Sequence, residues 1–433
     1  MSVSEKYSVV EKDKVSAEDH RILRKVDRRL LPVFTLLYLL SFLDRFDLGA
    51  IYFVGYVIFE VPANRCNPQV WLPSLTLAWG IVSIGQGLVK NQAGLFGIRF
   101  LLGATEAGLF PGVIYVFSVY YVRRERSWRV AIFFGGAALA GAFGGIFAYC
   151  IGLMDGVGGR RGWQWIFILE GILTAGVSLI AYFIVPTWSH EAKFLSEAEK
   201  TRLLDRLRAD SDAGTDQAFK WSSVRDAFSD HLVWAYAFLF HGFSFVLYSL
   251  SLFLPTIIAG LGFQTWQAQL MTVPPNVLAS FSIWITVWFS SKCNVRAPFI
   301  IGAAIVSIIG EVVPGLQYFG VHLAAGDWPG ENVSGQAKRA VAVALQISVG
   351  DIGAIAGCLI YRPTLSGHLY RKPNLIAIGY LLFAIAMTTY LWVMMSWENR
   401  RRDRLLSKGE AKEETEEDRI RLGDRSVRYR YRI

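Results

Sequence analysis

Apolar runs of 19 residues or more, almost free of charge, recur along this chain, and that one feature leaves few folds open. They fall at about 71–89, 94–121, 130–154 and 164–186, and again near 232–259, 268–290, 297–317, 340–361 and 372–397. A helix needs about 20 apolar residues to cross a hydrocarbon core of roughly 30 Å, so the pattern predicts an all-α integral membrane protein. Composition agrees: 53% of residues are hydrophobic, only 18% are charged, and mean hydropathy is +0.36. The charge crowds into residues 1–30, 187–231 and 398–433. The chain therefore divides into a tail (1–30), a first helical bundle (31–186), a middle loop (187–231), a second bundle (232–397) and a last tail (398–433). Two apolar clusters joined by one polar loop is the layout of a two-bundle transporter. A soluble protein of several domains would not repeat such runs.

Basic residues set the expected topology. Eight Lys or Arg stand in the first 30 residues, four arginines in RRERSWR (Arg123 to Arg129), seven basic residues in the middle loop and twelve from Glu398 onward. The positive-inside rule assigns all four regions to the cytoplasm. Two stretches resist a simple count. LPVFTLLYLLSFLDRFDLGAIYFVGYVIFEVP (Leu31 to Pro62) is too long for one span and too short for two with a turn; so is the stretch from Ala297 to Gly326. Only if each crosses twice do the basic segments share one side. The reading is six plus six helices ancestrally, with two helix pairs compressed, and about ten full spans here.

Other function classes find little support. A net charge of +9 is explained by cytoplasmic loops and requires no nucleic acid. Cys66, Cys150, Cys293 and Cys358 have no metal-ligand spacing and read as small packed residues. No signal peptide is expected at the N-terminus, no cofactor or metal is implied, and no nucleophile or metal cluster suggests an enzyme. Ser196-Glu197-Ala198-Glu199 is a capping box opening an amphipathic helix expected at the membrane surface. Asn332-Val333-Ser334 fits a glycosylation sequon, but its cytoplasmic placement makes it unused. Gly141 and Gly145, like Gly353 and Gly357, have the spacing that lets two helices approach closely.

Several blocks resemble one family: LPVFTLLYLLSFLDR, FVGYVIFEVPAN, RFLLGATEAGLFPGVIY, AIFFGGAALAGAFGGIFAY, GWQWIFILEG and AVALQISVGDIGAIAG. Together they are similar to the fungal allantoate-permease-like branch of the major facilitator superfamily. That anion:cation symporter group includes carriers of nicotinate, allantoate, pantothenate and biotin. The resemblance spans about residues 30 to 400 and implies secondary transport of a small organic anion, coupled to protons, by a monomer in the plasma membrane. An exporter of a secondary metabolite, a sensor or a non-transporting truncated paralogue are the alternatives. Relatives carry a longer segment after Asp44-Arg45 and a further block between Gly326 and Lys338. These gaps read as missing exons or a splice variant, with a degenerate paralogue as the alternative. Asp351 stands where relatives usually have asparagine.

Ionisable residues in a bilayer are costly and tend to face a bundle interior, so each is a candidate. Arg99 and Glu106, seven residues apart on the fourth helix of the family pattern, share a face with Gly103 between them. A guanidinium suits an organic anion and a semi-buried carboxylate suits a coupling proton; the competing reading is a structural ion pair. Asp44 and Arg45 match the family's DR motif and either line the outer half of the cavity or pair at a helix end. His241 and Gln346 are either satisfied interior polar groups or ligand contacts. Glu60, Pro111, Gly141, Gly145 and Glu170 read as structural or gating positions.

Overall fold

The computed structural model describes residues 16–43, 50–60, 67–209, 221–260, 262–293, 295–312, 328–360, 367–409, 414–415, 418 and 422–433. Among these the chain is helical and has no strand. The first half contains α1 (Ala17–Leu43), α2 (Ala50–Glu60), α3 (Pro68–Gln86), α4 (Gln92–Glu106), α5 (Leu109–Tyr120), α6 (Arg123–Gly152) and α7 (Gly162–Ile184). Then come α8 (Glu197–Ala209) and α9 (Trp221–Phe228) in the middle loop. The second half contains α10 (His231–Gly260), α11 (Thr265–Met271), α12 (Val273–Cys293), α13 (Ala297–Val312), α14 (Gln336–Ile360) and α15 (Gly367–Ser407). Asp44 and Arg45 lie outside the described residues, as does Cys66.

Seven segments among the described residues are long and apolar enough to span: Gln92–Tyr120, Glu125–Gly152, Gly162–Ile184, His231–Gly260, Trp266–Cys293, Lys338–Ile360 and Arg371–Ser407. The first joins α4 to α5 across a break whose cause is local. Pro111 in the first turn of α5 has no N–H to donate to Ala107, and its ring would crowd that carbonyl, so the helix restarts after Gly108. Helix starts are capped by side chains: Ser16 and Asp19 exchange bonds at α1, Asn67 accepts from Gln69 N–H at α3, and Asn91 accepts from Gly94 N–H at α4.

Helix pairing repeats between the halves. α1 packs on α6, α2 on α4 and α3 on α7; in the second half α10 packs on α14 and α13 on α15. Lipid tails give apolar helices little reason to associate, so close contact depends on small residues. A Cβ on Gly55 would sit 2.2 Å from Phe100 O, and one on Gly171 would sit 2.7 Å from Gly80 O. Gly353 and Gly357 lie against the backbone oxygens of His241 and Phe245 in the same way. The halves meet where α6 packs on α12 and α2 on α14. Gly141 faces the Asn276 side chain and Gly145 faces Gln269 O, so that pair of glycines lies at the α6 contact with α11 and α12. By the order of the repeat, α12 corresponds to α2, and the counterpart of α4 would fall between α13 and α14. Among the described residues only a short helical turn at 328–332 stands there.

One end of the molecule gathers the basic segments by direct contact. Asp27 of α1 receives Arg129 of α6 at 2.8 and 2.9 Å and Tyr121 OH at 2.8 Å. Lys25 meets Glu199, Arg202 meets Asp19, and Arg206 meets Glu125. The tail and residues 328–339 join the same end, because Lys338 bridges Asp230 and Asp424 at 2.7 Å each. Described residues flanking both awkward stretches lie here. Gln69, shortly after the first stretch, donates through Nε2 to Tyr182 O near the end of α7, at 3.4 Å, and the last carbonyls of α7 accept from Arg29. Arg296 precedes the second stretch and Glu331 follows it, and the two are bonded at 2.5 Å. The described parts of α2 and α13, 11 and 16 residues, reach about 17 and 24 Å.

Two expectations change. The helix after the capping box forms as α8, but its apolar side packs on protein, with Leu203 and Leu207 buried in the first-half core. Its partners lie along α1 and α5, so lipid is not what covers it. Cys150 and Cys293 are exposed where packed cysteines were expected; only Cys358 is partly covered.

Candidate transport site

The most buried carboxylate among the described residues of the first half is Glu106, 1% exposed at the end of α4. Tyr52 OH of α2 donates to its Oε2 at 2.5 Å, and Ser41 Oγ of α1 donates to its Oε1. Three helices thus converge on one carboxylate. The convergence lies far from the basic end. Ser41 lies 14 residues beyond Asp27, about 21 Å from the basic end, and Glu106 lies 14 residues before Tyr120, which is anchored there through Thr187 O. Glu106 is therefore well inside the apolar layer. Gly103, one turn earlier, allows the approach: a Cβ there would be 2.0 Å from Tyr52 O.

The other candidates are placed as follows. Arg99 is half-buried on α4, about 10 Å along the helix from Glu106 and away from the basic end. Gln346 and Asp351 are buried on α14, and Glu170 is buried on α7. His241 Nδ1 is 2.8 Å from Val349 O and its ring stands 5.7 Å from that of Tyr380, so it ties α10 to α14 and α15. Glu60 closes α2. Structure brings Glu106 to Ser41 and Tyr52, which sequence reasoning passed over. A hydroxyl in each of two adjoining apolar runs was the available signal.

A second polar cluster joins the halves at the basic end. Arg126 donates to Gly330 O at 2.5 Å; Ser127 Oγ donates to Glu331 and accepts from Arg296. Arg296 lies 2.5 Å and Arg432 3.7 Å from Glu331 Oε1. Glu331 has no exposed surface. Burial pushes its carboxyl up, but Arg296 and then Arg432 outweigh that and hold it below the usual carboxylate range. In the sequence RRERSWR shows its charge alone; its second role, the contact of Arg126 and Ser127 with Gly330 and Glu331, comes from the fold. Asn332 is buried and bonded to Tyr236 OH and Arg432, which leaves its sequon no access to a glycan.

Residues 33–326 match the Major Facilitator Superfamily domain. The MFS transporter prlL of Fungal sp. (strain NRRL 50135) is 32% identical over 90% of this chain and 90% of its own length. The high-affinity nicotinic acid transporter of Saccharomyces cerevisiae is 28% identical over 95% of this chain and 85% of its own. The match to prlL runs over 444 positions yet takes in about 390 of the 433 residues here, leaving about 54 without a counterpart. Among solved structures, the proton:xylose symporter XylE aligns with a TM-score of 0.64 at 14% identity, covering 84% of this chain and 96% of that one. The convergent helices, the paired halves and these matches lead to one conclusion: the chain belongs to the major facilitator superfamily and is a membrane transporter, not an enzyme.

Proposed function

We propose that this transporter takes up a small organic anion of the nicotinate or allantoate class together with a proton, by alternating access at the plasma membrane. The basic end then faces the cytoplasm with both termini. One observation carries the reading: Glu106, a carboxylate inside the apolar layer, is met by two hydroxyls from two other helices. A carboxylate there is costly unless it is used, and hydroxyl partners can serve both its charged and its neutral form. Arg99 on the same helix supplies the cation an organic anion requires. The resemblance to a nicotinic acid carrier supports the substrate class.

The test is uptake of labelled nicotinate in yeast lacking its own carrier, measured with and without an inward proton gradient. Glu106→Gln is expected to abolish accumulation against the gradient while leaving exchange. Gradient-driven accumulation at wild-type level in that variant refutes the assignment of Glu106. Absence of uptake of any small carboxylate by wild type refutes the substrate class.

A further inference from the structure

The last five residues of the chain form an ordered strap on the second half, and what they hold is the surface that closes onto the first half. Ile433 O accepts from the Arg296 backbone N–H at 2.8 Å, capping the start of α13. Arg432 O accepts from Trp328 Nε1 at 2.8 Å and from Asn332 Nδ2 at 3.0 Å, and Arg432 N–H donates to Asn332 Oδ1 at 2.7 Å. Tyr431 exchanges two bonds with Asn399 of α15, at 2.8 and 2.9 Å. Tyr429 O accepts from Arg402, and Tyr429 OH donates to Glu331 O at 3.3 Å. Every one of these contacts is within the second half. The strap thus grips Trp328, Glu331, Asn332 and Arg296.

Those gripped residues carry the closure. Gly330 and Glu331 receive Arg126 and Ser127 from the start of α6, and Arg296 reaches Ser127. The short turn at 328–332 follows the second awkward stretch and precedes α14 by three residues, and Tyr236 of α10 also meets it through Trp328 and Asn332. A buried carboxylate is tolerated only while its cations are in place, and one of the two nearest, Arg432, belongs to the strap.

We infer that residues 429–433 are positioning residues of the transport cycle, holding Glu331 where it closes the basic end against Arg126 and Ser127. The inference rests on membership of a two-bundle transporter family and not on the identity of the substrate. Loss of the strap frees the 328–332 turn, weakens the contact between halves and shifts the population toward a state open at the basic end.

The test measures the distance between the halves, with no substrate present, by double electron–electron resonance. Spin labels replace exposed His20 at the start of α1 and exposed Arg404 at the end of α15, in a full-length protein whose four cysteines are serine. Tyr429→Phe removes the hydroxyl that bonds Glu331 O; Asn332→Ala removes the clasp on Arg432; a third variant ends at residue 428. Each is expected to enlarge the long-distance population severalfold, as Arg126→Ala does from the opposite side of the contact. The peptide RYRYRI, added to the shortened protein, is expected to restore the short distance. Unchanged distances in Tyr429→Phe and Asn332→Ala, both checked for a native melting profile, overturn the role of the strap. An unchanged distance in Arg126→Ala overturns the closure itself. Should the shortened chain fail to fold, the two point variants decide. Failure of nicotinate uptake leaves the distances, and this reading, unaffected.

Discussion

A single methyl group at Gly103 is expected to cost both stability and coupling. In the folded chain that Cβ would lie 2.0 Å from Tyr52 O and 3.0 Å from Tyr56 N, both backbone atoms that no rotamer change can move. Ordinary contact begins near 3.4 Å, so α2 must retreat from α4 by about 1.4 Å. Overpacking of this kind costs about 1–3 kcal/mol. The retreat also carries Tyr52 away from Glu106: a 2.5 Å bond moved by that amount stretches to about 3.9 Å, outside hydrogen-bonding range. Losing a hydrogen bond to a buried acceptor adds about 1–3 kcal/mol. Gly97 on the same helix supplies the control, since a Cβ there meets nothing within 4 Å. Gly97→Ala is expected to hold or slightly raise the melting temperature in detergent, through a helix-propensity gain of up to about 1 kcal/mol. Gly103→Ala is expected to melt several degrees lower and to lose gradient-driven uptake. Equal melting temperatures for wild type and both variants would refute the argument that α2 and α4 touch at Gly103.

Tyr52→Phe deletes one donor to Glu106 and is expected to lower proton-driven uptake severalfold without loss of folded protein; undiminished uptake counts against that hydroxyl. Glu331 is held below its ordinary value near 4.5, so its contribution to stability is present above that pH and is lost as pH falls through the lower, folded value. Melting curves of wild type and Glu331→Gln are therefore expected to differ at neutral pH and converge on acidification below about 4.5; a difference that grows with acid contradicts the sign. Expression in a glycosylating host is expected to leave Asn332 unmodified, checked by mass spectrometry of its peptide before and after glycosidase. Sequencing of transcripts across the codons for residues 44–52 and 326–338 is expected to reveal longer in-frame messages, and a single abridged message would favour a protein that no longer transports.

The membrane class, the two halves and the shared side of the basic segments were legible because they depend on runs and sums. A 25-residue apolar run at 130–154 has no stable home but lipid or a core, and arginines in RRERSWR mark one side whatever they touch. Gly141 and Gly145 announced a close helix contact by spacing, since only the absence of a side chain permits it.

Partners were not legible. Nothing in RFLLGATEAG says that Glu106 will meet Ser41, 65 residues away, and Tyr52, 54 residues away. Those contacts depend on the depth at which α1, α2 and α4 bring their side chains together. The same holds for α8, whose amphipathic pattern fixes a helix with one apolar side but not whether lipid or protein covers it. Arg126 shows the limit most plainly. Its sequence context states a positive charge at one end of the bundle. That it lies 1% exposed against Gly330, 204 residues on, is a property of two halves closing together. Local pattern determines which groups must leave water; only the tertiary arrangement decides which of them meet there, because pairing across helices depends on relative depth and rotation that no single segment contains.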